Sequence, residues 1–96
     1  MPESDRDIPV SFASFVVSIA SSAMVNLGEV PDPTSKQRVV NLAMARQTID
    51  LLGVLEEKTK GNLDEEEGKL LETILYDLRM RFVEKRDGAK PQASAD

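Results

Sequence analysis

The apolar positions of the chain fall into three blocks, each repeating with the 3.6-residue period of an amphipathic helix. In the first, Phe12, Phe15, Val16, Ile19, Ala20, Ala23, Met24 and Leu27 lie at helical spacing. Ser11 precedes this block as an N-cap, and Gly28 follows it where a left-handed residue closes a helix, so the pattern predicts a helix over Ser11–Leu27. The next segment, Glu29-Val30-Pro31-Asp32-Pro33, forbids helix, because each proline removes a backbone donor and restricts the residue before it.

The second block has two candidate starts, Ser35 and Asn41. Asn41 is favoured, with Lys36–Val40 as an extended lead-in, and Gly61-Asn62 stops the helix after Leu42–Thr59. Leu42, Ala45, Ile49 and Leu52 form one stripe, and Met44, Leu51 and Leu55 form a neighbouring one with Thr48 between them. An apolar arc this wide predicts contact with two neighbours at once, while Arg46, Asp50 and Glu57 mark the wet side. The third block opens with Asp64 and, three residues later, Glu67, the spacing of a capping box. Its stripe of Leu70, Leu71, Ile74, Leu75, Leu78 and Phe82 predicts a helix over Glu65–Lys85.

Three helices with short connections predict an all-α fold, either a small three-helix bundle or a helical hairpin with one added helix. Residues 1–10 read as a flexible lead-in interrupted by Pro2 and Pro9, residues 11–86 as one helical domain, and residues 87–96 as a disordered tail without apolar periodicity. A chain of 96 residues buries only a modest core, so association of copies would add stability.

Charge changes the picture for the first helix. The chain is 30% charged, yet the twenty-one residues from Ile8 to Gly28 carry no formal charge. The side opposite the apolar stripe holds Ser14, Ser18, Ser21, Ser22 and Asn26, where a water-facing helix normally carries Lys, Glu or Arg. Ser14, Ser18, Ser22 and Asn26 form a ridge at four-residue spacing, and small residues so spaced let two helices approach closely. The expectation is a homodimer packed across this ridge; the alternative is a polar side that faces water. On the third helix, Tyr76, Met80 and Val83 form a weaker second stripe, either incidental surface apolars or a contact face for an unknown protein partner. The basic residues Arg79, Arg81, Lys85 and Arg86 end a helix that begins with acids, which matches the helix dipole and would also serve as a patch for an anionic partner.

Catalytic chemistry finds no foothold. With no Cys and no His, the chain has no disulfide, no zinc–thiolate site and none of the commonest general bases. No serine sits on a Gly-flanked elbow beside an identifiable base. Gly53 to Thr59 places a Gly and a Lys-Thr near the offset of a phosphate loop, but lacks the Gly before Lys and lies inside a helix. Asn62 with Asp64, Glu65, Glu66 and Glu67 lacks the calcium-loop pattern. No catalytic residue, cofactor or metal is expected, and the chain is not expected to be an enzyme. A net charge of -5 weighs against binding a phosphate backbone. The acidic residues before the apolar stretch weigh against a signal peptide, and the serines and Asn26 of Ser11–Leu27 dilute any membrane span. The expected setting is cytoplasmic.

Phe12-x-x-Phe15-x-x-Ser18-x-Ala20-x-x-Ala23 followed by Leu27-Gly28-x-x-Pro31-x-Pro33 resembles the opening of a family of short bacterial proteins classed as a domain of unknown function. The likeness continues through Ala45-Arg46-Gln47-Thr48-Ile49-Asp50-x-Leu52, Glu57-Lys58-Thr59-Lys60-Gly61-Asn62-Leu63 and Glu67-x-x-Leu70-Leu71-x-x-x-Leu75-x-x-Leu78-Arg79. The resemblance implies a small cytoplasmic helical protein and supplies no catalytic residue. It draws attention to the Lys58–Leu63 turn, more elaborate than a helix stop requires. The leading expectation is a self-associating, non-enzymatic protein–protein interaction module. The alternatives are a nucleic-acid or ribosome-associated accessory using the basic end of the third helix with Lys58 and Lys60, and a membrane-peripheral protein using the first helix.

Overall fold

The structure is a computed structural model, described here for residues 10–89. It contains three helices, α1 (Phe12–Asn26), α2 (Leu42–Lys58) and α3 (Glu65–Ala89), and each packs against the other two. The chain is therefore all-α, a three-helix bundle. The expected lead-in, up to Pro9, and the expected tail from Lys90 lie outside the described residues. The tail was expected to begin at Asp87, yet α3 continues to Ala89. Nothing in Lys85–Ala89 breaks the helix: the stretch has no proline, and Gly88 does not take the left-handed conformation that closes α1.

The helix ends are built from local side chains. Ser11 Oγ accepts from the Ser14 backbone N–H at 3.1 Å, and the Ser11 N–H donates to Ser14 Oγ at 3.1 Å, a reciprocal capping box. At the other end the Glu29 N–H donates to the Met24 carbonyl at 3.0 Å and the Gly28 N–H to the Val25 carbonyl at 2.9 Å. Gly28 has φ 77°, so α1 closes with a Schellman turn. A Cβ on Gly28 would also stand 2.7 Å from Val40 Cγ2, so two independent constraints demand glycine.

The segment between α1 and α2 settles where α2 starts. Asp32 Oδ1 accepts from the Thr34 and Ser35 N–H groups at 2.7 and 3.1 Å, which uses Ser35 in a turn rather than as a cap. Asn41 is the N-cap, its Oδ1 accepting from the Met44 N–H at 3.1 Å. The Asn41 N–H itself donates to the Asn26 carbonyl at 2.7 Å, tying the entry of α2 to the exit of α1. Asp64 and Glu67 form the anticipated box: Glu67 N–H to Asp64 Oδ1 at 2.8 Å, and Asp64 N–H to Glu67 Oε1 at 3.0 Å. The Lys58–Leu63 turn is accounted for by the same chemistry. Thr59 Oγ1 donates to the Leu55 carbonyl at 2.8 Å, Gly61 takes φ 88°, and Leu63 packs against the core.

The core is Val16, Ala23 and Leu27 with Ala45, Ile49 and Leu52 and with Leu71, Leu75 and Leu78, and no described polar or charged residue is buried. One sequence expectation needs correction. Phe15 was placed in the apolar stripe of the first helix but is 51% exposed. It sits about 100° around the helix from Val16, which points into the core, so it falls at the margin of the buried arc. The wide apolar arc of α2 does meet two neighbours, α1 and α3, though Met44 and Leu51 at its outer edge stay exposed, because α1 covers only the flank reached by Thr48 and Leu55.

Leu75→Ala should cost about 2–5 kcal/mol, since the side chain is fully enclosed. Gly28→Ala should destabilise, whereas Gly68→Ala, in a helix with open space around the added Cβ, should stabilise by up to about 1 kcal/mol. Urea denaturation of the three variants checks both the core and the turn.

Candidate interaction surfaces

Several exposed apolar side chains of α1 and α2 share one face. Phe15 and Ile19 of α1 and Leu51, Val54, Leu55 and Lys58 of α2 line a shallow groove of about 160 Å³. Met44 and Leu51 share a flank of α2 seven residues apart, so Met44 extends this face two turns toward the α2 N-terminus. Lys58, in the last turn, is the one charged residue lining the groove.

The serine ridge meets this face only in part. Ser14 is engaged in the cap of α1, donating to the Ser11 carbonyl at 3.0 Å. Asn26 turns toward α2, its Nδ2 donating to Thr48 Oγ1 at 3.4 Å, while Thr48 donates back to the Met44 carbonyl at 2.9 Å. Ser18 and Ser22 are exposed, and Ser18 Oγ donates to the Ser14 carbonyl at 3.0 Å. By helical geometry both lie within about 60° of Phe15, so the middle of the ridge borders the apolar groove.

The basic end of α3 is divided between two flanks. Arg81 Nε contacts Asp77 Oδ2 at 2.8 Å and its Nη1 reaches Glu29 Oε1 at 3.4 Å. Lys85 Nζ stands 3.8 Å from Glu29 Oε2. The hydrogen bond and charge of Asp77 hold the Arg81 guanidinium above its ordinary pKa. These two bases thus pin the turn after α1 onto α3. Arg79 and Arg86 occupy the opposite flank. They line a cleft of about 250 Å³ with Arg46, Ile49 and Asp50 of α2 and with Phe82 and Val83. The four bases therefore do not form one patch: two are engaged with Glu29, and two share a cleft with a third base from another helix. The sequence marks Arg46 as part of the wet side of α2 and does not place it beside α3. Its position one turn before Asp50 and Ile49 was the available signal. Tyr76, Met80 and Val83 are all exposed, and Val83 joins the cleft.

Among the described residues there is no group of three metal-ligating side chains, and no helix is long and apolar enough to cross a membrane. Residues 9–84 match the sequence model of a family described as a domain of unknown function, DUF1844, and the chain belongs to that family. The resemblance to a domain of unknown function is thereby shown. No curated protein and no solved structure matches the chain.

The Glu29 clamp is partly exposed, so Glu29→Gln should cost less than about 1 kcal/mol. A double-mutant cycle with Arg81→Gln should show a coupling that shrinks at high salt. Equal coupling at low and high salt would mean that the contact is not electrostatic.

Proposed function

We propose that the protein is a non-enzymatic interaction module that self-associates as a homodimer through the α1–α2 face. The supporting observation is the exposed strip of Phe15, Met44, Leu51 and Val54, each leaving roughly half its surface in water. Together they make an apolar patch on the order of 300–400 Å², within the range at which such patches are often contact sites. A second copy is a fitting occupant because a two-fold axis would set the strip against itself. Two helices about 25 Å long and 8–10 Å apart present about 500 Å² per copy. Two such faces would remove about 1,000 Å², the threshold of a specific interface. Ser18 and Ser22 would let the backbones approach, and the Ser18 hydroxyl already bonds within its own helix, so its burial strands no donor. The cytoplasmic setting expected from the sequence belongs to the same proposal.

Sedimentation equilibrium tests the reading. The wild-type protein should be dimeric at high micromolar concentration. Leu51→Arg and Ser18→Arg should each yield a folded monomer, because a guanidinium there would lose its water on association. Thr73→Arg, on the outer side of α3, should leave the dimer intact. A wild-type monomer at high micromolar concentration would sink the proposal.

A further inference from the structure

We propose that the cleft between α2 and α3 is a docking site for a short acidic segment of a partner protein. An apolar side chain of that segment seats on Phe82, and its carboxylates meet Arg79, Arg86 and Arg46. Three observations carry this. The cleft combines an apolar floor, Ile49, Phe82 and Val83, with three guanidiniums contributed by two helices. Arg79 makes no ion pair among the described residues, Arg46 reaches Asp50 only at 3.9 Å with both side chains exposed, and Arg86 pairs only with its exposed sequence neighbour Asp87, at 3.2 Å. The third observation is Gly53. Glycine is among the least favoured residues in a helix interior, and Gly53 has no positive φ to require it. An added Cβ there would lie 3.2 Å from Arg79 Nη2. The missing side chain therefore lets the Arg79 guanidinium lie against α2 at the edge of the cleft.

Charge and size select the occupant. Guanidinium forks match carboxylates in a bidentate fashion. Asp50 in the cleft and a net charge of -5 limit how many anionic groups can be held there, which favours a short segment with a few carboxylates over the continuous line of phosphates of a nucleic-acid backbone. A volume of about 250 Å³ suits one large side chain and its flanking carboxylates rather than an extended ligand. Tyr76 lies on the same flank of α3 as Val83, so the apolar floor continues outward along the helix. The cleft uses the side of α2 that carries Arg46, away from Leu51 and Met44. The cleft and the dimer groove share no lining residue, so Leu51→Arg leaves the residues of the cleft untouched.

Fluorescence anisotropy on the full chain decides the matter. The probe is a dye-labelled peptide with a Leu-Phe pair flanked on both sides by Glu and Asp. It is compared with the same peptide carrying Gln and Asn, and with a labelled single-stranded DNA oligonucleotide. The acidic peptide should bind in the micromolar range and more weakly at high salt, and the amide peptide should bind at least about tenfold more weakly. Arg79→Gln and Arg86→Gln should each weaken binding about three- to tenfold. Gly53→Ala should also weaken it while leaving the thermal midpoint unchanged or raised, a combination that a merely destabilising change would not produce. The proposal is overturned if the amide peptide binds equally well. It is overturned if Arg79→Gln and Gly53→Ala both leave affinity unchanged, or if the acidic peptide fails to bind, whether or not the oligonucleotide does.

Discussion

The apolar core draws the three helices together, and directional contacts at one end fix which turn meets which helix. Burial of Leu27, Leu52, Leu71, Leu75 and Leu78 brings the three stripes together, but hydrophobic contact is non-directional. No described polar residue is buried in the core, so the interhelical hydrogen bonds lie at its edge, among them Asn26 Nδ2 to Thr48 Oγ1. The directional contacts lie at one end of the bundle. The Asn41 N–H to Asn26 carbonyl bond joins α1 to α2, and Glu29 between Arg81 and Lys85 joins the same turn to α3. Gly28 makes both possible, because its left-handed turn sends Glu29 toward α3 and leaves room for Val40.

Much of this was legible in sequence because capping is local. Ser11, Asn41 and the Asp64–Glu67 pair announce themselves within four residues, and Gly28 and Gly61 occupy the left-handed positions that end their helices. The core leucines were legible for a related reason: a stripe on one helix identifies its own buried side. Flanks are a different matter. Periodicity places Phe15, Leu51 and Met44 around their own helices and says nothing about how far a neighbouring helix extends. Whether such a residue is covered is decided by the crossing of α1 over α2.

The same limit explains the sorting of charges and serines. Arg79, Arg81, Lys85 and Arg86 are adjacent in sequence, yet helical geometry sends Arg79 and Arg86 to one flank and Arg81 and Lys85 to the other. That division could have been computed from spacing alone. The arrival of Glu29 between one pair, and of Arg46 beside the other, could not, because both come from other elements. Ser14 and Asn26 likewise belong to a ridge by spacing but to a cap and an interhelical contact by structure. A ridge of small residues is a statement about one helix, and a contact needs two.

Helix α2 is the element on which both outward surfaces depend. Its core stripe, Ala45, Ile49 and Leu52, is flanked on one side by Met44 and Leu51 and on the other by Arg46, with Gly53 between core and cleft. One flank is apolar and lies beside the uncharged α1; the other is cationic and lies beside the end of α3. The two surfaces differ in chemistry, one a guanidinium-lined cleft and the other an apolar strip, so the features that would favour a partner on one would not favour it on the other. Because α2 is held by the core between them, neither surface can be rebuilt without moving Ile49 or Leu52. Their chemistry can nevertheless be altered separately at Leu51 or Arg46, whose side chains are exposed.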